Sequence, residues 1–532
     1  MRSMVAGILL GASLLCGQTP KPAADACAPP PGGSAPPLPA QLLEGQGTID
    51  FPITTRSAEA QKFFNQGVAQ MHSFWAREAE RSFLQAAQLD PEAPMPHWGV
   101  AMVAVGDFRP RFQLAGDPTN RPPVPRVQEA IRKALELSNA PGKATDVEKM
   151  YIAAIVARRD PKAKDQDEAF VKELRALVAK YPKEVEARTY LALMIMRGFT
   201  LPEKTPKYPS SMESASMLRQ LMLDAPNHPG VHHYVIHGFE GSNFAKDAWP
   251  SCKRYAELVS NIPHALHMPG HIWAQTGRWD EAIKSFDSAA INERGYMKAD
   301  SLYGNQHHGH NVHFLATSYS FSGDYDKAVA SARELIAMKE NPREAKDLEN
   351  TRTAWTQGWF SLMRTMVQFR RWDDVLSDQL PKPAKPRLQA WYHWSRAVAY
   401  ADIGQVGPAK QESALMKQAV QAHKKANKGK VRPEVKVASE ELKGHISIAE
   451  KRVDKGLKQI ASASVREQHL VYNEPPYYPR PAAEALGHLA MRHGKADVAE
   501  KAFKEALAQY PADHHAESAL RALTRKSTTA GL

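Results

Sequence analysis

The chain has 532 residues, 43% of them hydrophobic and 24% charged, which is the composition of a globular protein and excludes collagen-like, wholly disordered and disulfide-dense scaffolds. A net charge of +12 suits either an anionic partner or a solvated surface, so its placement matters more than its total. Three cysteines are too few for a disulfide framework.

At the N-terminus Arg2 precedes the apolar run MVAGILLGASLLC, and Ala24-Asp25-Ala26 offers a small-x-small cleavage site. This is the pattern of a secretory signal peptide over residues 1–26, too short for a membrane span. The expected location is therefore periplasmic or secreted. Lipid attachment at Cys16 is the less favoured alternative, because Leu15 before it is large. Cys27 and Cys252 would remain after cleavage, and whether they pair is left open. Residues 27–47 are rich in Pro and Gly and read as an extended linker. No later segment is long and apolar enough to cross a membrane.

A repeat follows. Gly67, Ala79, Phe83, Ala86 and Pro91 are spaced 12, 4, 3 and 5 residues apart, and Gly487, Ala499, Phe503, Ala506 and Pro511 repeat that spacing. Gly270, Ala282, Phe286 and Ala289 form a third copy. The motifs GRWDEA (277–282), GDYDKA (323–328) and RRWDDV (370–375) mark further turns. The pattern resembles the tetratricopeptide repeat, a 34-residue antiparallel helix pair. Small residues let the two helices approach, the phenylalanine fills the space beside them, and stacked neighbours cover each apolar face. The resemblance implies an all-α fold, a solenoid of helix pairs wound into a right-handed superhelix. One array is expected over 48–342, continued over 343–525, with a tail at 526–532. Inserts fall at 107–126, 199–210 and 378–387. The basic run 423–433 reads as a solvated loop, and lacking interleaved aromatics it gives no support to a nucleic-acid partner.

Eleven of the 21 histidines lie between His228 and His313. His233 and His237 are four residues apart and share a helix face, as do His267 and His271, and the two pairs are separated by 34 residues. In the frame that puts Gly270 at position 8, the pairs occupy positions 5 and 9. His310 and His313 take positions 2 and 5 of a later repeat, and Glu240 takes position 12 of the first. The family resemblance implies that these positions face a concave groove. His233, His237, His267 and His271 would complete one divalent transition-metal site, with zinc, iron or copper suited to imidazole. Glu240 would be a ligand or a general base, and His310 and His313 would complete or orient the set. The alternative is a metal-free scaffold binding an unknown protein, peptide or small molecule. His232, His264, His307 and His308 are assigned to packing or surface.

The segment YNEPPYYPRPAAEALG (472–487) offers Glu474 and Tyr477, with Glu484 and His488 at positions 5 and 9 of the final repeat, as residues closing one end of the groove. Together with HPGVHHYVIHGFE (228–240), HALHMPGHIWAQTGRW (264–279) and HGHNVHFLA (308–316), this segment resembles a family of secreted bacterial tetratricopeptide-repeat proteins of unassigned activity. That resemblance implies an extracytoplasmic solenoid and no reaction.

Overall fold

The computed structural model describes residues 40–104, 125–196, 199–200, 205–206, 209–299, 306–339, 353–473 and 475–529. The proposed signal peptide, Cys27, Glu474 and most of the 107–126 insert lie outside them. Among the described residues the regular structure is helical, apart from a two-residue antiparallel pair, Phe199–Thr200 with Thr205–Pro206.

The helices in chain order are α1 (Ala58–His72), α2 (Ala76–Leu89), α3 (Pro94–Val103), α4 (Pro125–Asn139), α5 (Asp146–Arg159), α6 (Gln166–Lys180), α7 (Val185–Ile195) and α8 (Pro209–Asp224). The central set is α9 (Pro229–Phe239), α10 (Trp249–Leu258), α11 (Pro263–Gln275), α12 (Trp279–Ala299), α13 (Gln306–Ser322) and α14 (Tyr325–Ala337). Then come α15 (Ala354–Gln368), α16 (Trp372–Leu376), α17 (Pro386–Asp402), α18 (Val406–Ala426), α19 (Pro433–Ala449), α20 (Val453–Gln468), α21 (Ala482–Arg492), α22 (Ala496–Gln509) and α23 (His514–Thr529). Prolines at the first turn start α3, α9, α11, α17 and α19, where the missing N–H has no helical partner to lose.

The repeat spacing has a direct structural meaning. A Cβ on Gly67 would stand 2.7 Å from the Phe83 ring, and one on Gly270 or Gly487 would stand 2.5 Å from Phe286 or Phe503. Phe83 also lies against Gly99 of the next helix, so it locks its own repeat and its neighbour at once. The turn motif is equally regular. A left-handed residue, Phe74, Gly277, Gly323, Arg370, Gly404, Lys451 or Gly494, joins first helix to second. Five residues on sits a buried Ala79, Ala282, Ala328, Val375, Ala409, Gly456 or Ala499.

Both ends fold back onto the middle. Tyr255 Oη donates to Ser73 Oγ at 3.0 Å, and Trp75 packs edge-on against Tyr296. At the other end, Trp279 Nε1 donates to the Pro511 carbonyl at 3.1 Å, His515 Nε2 donates to the Ser320 carbonyl at 3.0 Å, and Phe321 stacks on Tyr510. Two sequence expectations are revised. Residues 40–47, read as linker, are docked: the Gly45 carbonyl accepts from Asn261 N and Leu43 N donates to Gln66. The basic run 423–433 begins inside α18, whose last turn carries His423, Lys424 and Lys425 beside the negative end of the helix dipole.

Candidate metal centre

The helices α9, α11 and α13 stand side by side and present their histidines in two groups of three. In each group, ligand atoms from all three side chains lie within 4.8 Å of one another: His233, His237 and His264, then His267, His271 and His310. The expected single site of His233, His237, His267 and His271 is therefore divided. Each four-spaced pair closes with a histidine from the next first helix, His264 of α11 or His310 of α13.

Hydrogen bonding fixes the tautomers of the first group. His233 Nδ1 donates to the His72 carbonyl at 2.6 Å, and His237 Nδ1 donates to Glu240 Oε1 at 3.1 Å. His307 Nδ1 donates to Glu293 Oε1 at 2.8 Å, so its Nε2 accepts from His264 Nδ1 at 3.2 Å. All three Nδ1 protons thus point outward. The three Nε2 lone pairs are left, and all three Nε2 atoms are buried without a hydrogen-bond partner. Burial, reinforced by neighbouring imidazoles, holds His233 and His264 well below the ordinary histidine range, in the neutral form that a metal requires.

The second group repeats the arrangement of the rings, but its Nε2 atoms meet each other instead of standing unpartnered. Asn311 donates through Nδ2 to the Phe286 carbonyl, which turns its Oδ1 toward His267 Nδ1 at 2.9 Å. His267 Nε2 then faces His271 Nε2 at 2.6 Å, and burial holds His267 well below its usual range.

Glu240 touches both groups, with Oε1 at His237 and Oε2 3.2 Å from His271 Nδ1. Burial pushes its carboxyl up, but the fields of His237 and His271 outweigh this and hold it below the usual carboxylate range. Glu240 caps α9 rather than lying within it. Gln275, at the end of α11, clamps the turn that follows by accepting from Gly241 N and donating to the Ser242 carbonyl. Phe74 covers the first group, its ring 4.5 Å from His233, 5.3 Å from His237 and 5.7 Å from His264. It does so from a left-handed backbone, φ 54°, where an unstrained repeat carries glycine.

His313 lies apart from both groups. Position 9 of its helix is Thr317, whose hydroxyl accepts from Arg364 Nη1 at 3.0 Å, and burial with the Arg364 charge holds His313 well below its usual range. A third cluster, His72, Glu186 and His228, is equally tight but fully satisfied. His72 engages Tyr234 and Glu186 at 2.9 and 2.7 Å; His228 engages Glu186 at 2.8 Å and accepts from Val231 N.

The other expected groove residues are not gathered at an open end. Glu484 is buried, its carboxyl pushed up to about 7 by burial. His488 Nε2 lies 3.9 Å from it, pushed down to about 2 by burial and by the charges of Arg370 and Arg480. Tyr477 is partly exposed beneath the Arg432 guanidinium. Cys252 is a buried thiol. Sequence reasoning set aside His264, which completes the first group, and its relay partner His307. The signal was available, since His264 occupies position 2 of its repeat, as His310 does.

Two tetratricopeptide repeat family models match the chain, over residues 484–525 and 311–342, and with the helix pairs they show an all-α fold of that type. No curated protein matches. Similar solved structures include a chain of the APC/C hetero-tetramer Cut9–Hcn1, at 10% identity and TM-score 0.30, covering 90% of this chain and 79% of that one. Another is the human IFIT1 dimer with m7Gppp-AAAA, at 13% identity and TM-score 0.30, covering 88% and 91%.

Proposed function

We propose that this chain is an extracytoplasmic solenoid whose central helices bind a divalent transition metal through imidazole nitrogens. One observation carries the reading: three buried Nε2 lone pairs, of His233, His237 and His264, converge with no partner while each opposite nitrogen is held. Leaving three buried polar atoms unpaired costs stability, roughly 1–3 kcal/mol each, and a shared ion removes that cost. The all-nitrogen donor set suits zinc, iron or copper(II). Glu240 serves this reading as an orienting carboxylate, since its oxygens are directed at Nδ1 atoms. His237, His264, His310 and Glu240 are the partly exposed members, the side from which an ion would enter. Elemental analysis of tag-free protein tests the proposal: metal retained after dialysis supports it, and none bound after zinc loading ends it.

The matched repeats support a second reading, a metal-free protein- or peptide-binding scaffold. Its mark is a partner captured in EDTA-containing buffer and lost when exposed first-helix residues are changed.

A further inference from the structure

We infer that the histidine cluster is two metal sites of one design, set one repeat apart and joined through Glu240. The inference rests on the metal reading above and extends it from the presence of an ion to the number and relation of the ions.

The two groups form matching triangles. In the first group the ring centroids of the four-spaced pair, His233 and His237, are 4.7 Å apart, and His264 lies 5.1 Å from the first and 6.1 Å from the second. In the second group, His267 and His271 are 4.6 Å apart, and His310 lies 5.1 Å from the first and 6.3 Å from the second. Corresponding sides of the two triangles agree within a few tenths of an ångström. The ligand rule is the same in both: positions 5 and 9 of one repeat, position 2 of the next. A single ion shared across the cluster would have no reason to produce this translation. Neighbouring first helices lie about 8–10 Å apart, which separates the two centres by one helix spacing.

The pattern also ends on both sides for identifiable reasons. One repeat further along, His313 keeps position 5, but Thr317 holds position 9 and Arg364 supplies a cation there. On the other side position 2 is Gly230, and His72 fills the space a side chain would need, its Nδ1 only 2.4 Å from where a Cβ would stand. Two complete copies remain. Between them stands one carboxylate, Glu240, with one oxygen on His237 of the first group and the other beside His271 of the second. It is a positioning residue for both, turning each Nε2 toward its own ion.

Zinc loading of the tag-free full chain, followed by gel filtration and elemental analysis, reads the count. The expected result is about two zinc ions per chain, falling to one in His264→Ala, to one in His310→Ala and to none in the double variant. One ion in the wild type, lost in either single variant, means a shared mononuclear site and overturns the inference while leaving the metal reading intact. No ion in the wild type overturns the metal reading itself. Copper(II) titration of the unaltered protein, followed by electron paramagnetic resonance, gives a measurement independent of variant folding. A second equivalent that broadens the signal of the first by dipolar coupling supports paired sites. Saturation at one equivalent overturns them.

Discussion

Two sets of buried histidines in this protein look alike and differ in one respect. His72, Glu186 and His228 are as close together as either histidine triad and at least as buried. Yet every ring nitrogen in that set has a partner, and the carboxylate sits at its centre, accepting from both imidazoles. In the triad of His233, His237 and His264 the carboxylates stand outside, at His237 and, through His307, at His264, and the centre is left to three unshared lone pairs. Clustering and burial therefore do not separate a histidine held for structure from one free to act as a ligand. The accounting of both ring nitrogens does.

The largest expected effect tests the satisfied set. Glu186→Ala removes the acceptor from two buried imidazoles and should destabilise the fold by about 3–5 kcal/mol, the usual cost of removing one partner from a buried polar pair. Chemical denaturation measures it, and zinc content of the protein that remains folded should be unchanged. A loss of zinc there would erase the distinction between the two sets.

His237→Ala tests the opposite set. His237 is partly exposed and its side-chain hydrogen bond is to Glu240 through Nδ1, so the metal-free protein should lose little beyond its ring packing on Phe74 and His233. Its thermal stabilisation by zinc should shrink, because only the second site still contributes binding free energy to the native state. Equal stabilisation in both proteins would remove His237 from the ligand set.

The fold was more legible than the site, and the reason is the kind of signal each leaves. Gly67 and Phe83, Gly270 and Phe286, and Gly487 and Phe503 are steric pairs. Each needs the other at a fixed spacing, so one sequence displays the rule three times. The paired histidines were legible in the same way, through the 34-residue step. What could not be read was the division of the cluster, which depends on contacts between helices. His264 looked like packing until His307 and Glu293 fixed its tautomer. Glu484 and His488 occupy the same repeat positions as the four-spaced histidine pairs but are enclosed by the returning C-terminal segment, including Asp513 and His515. Phe74 is the other unreadable residue, because a phenylalanine in a glycine position conceals the turn and its cover over the triad together.

Glu240→Gln should weaken zinc at both sites by about 10–100-fold with the count unchanged, because outer-shell partners set the orientation and basicity of the imidazoles they hold. His307→Ala, which orients His264 alone, should weaken the first site and spare the second. Competition titration with a zinc-chelating dye resolves the two. If both variants affect one and the same site, Glu240 does not join the groups.

The smallest expected effect contrasts the two halves through pH. His233, His264 and His267 are held below the ordinary 6.5 by burial, so the native state binds fewer protons than the unfolded chain. Their contribution is present above about pH 6.5 and is lost as pH falls below it. In the C-terminal half two buried carboxylates carry the opposite sign, while His488 in α21 and His515 oppose them. Burial pushes Glu484 up to about 7 and Glu467 up to about 8, against an ordinary 4.5. Their contribution is full below about pH 4.5 and is lost as pH rises through 7 and 8. Hydrogen exchange of the metal-free protein, corrected for intrinsic rates, should show protection of α9 and α11 falling from about pH 7 to about pH 5. Protection of α20, which carries Glu467, should fall from about pH 5 to about pH 8. Glu467→Gln should flatten the second trend and leave the first. Parallel trends in both halves would mean that the buried carboxylates do not govern the C-terminal half, and that its packing tolerates their charge.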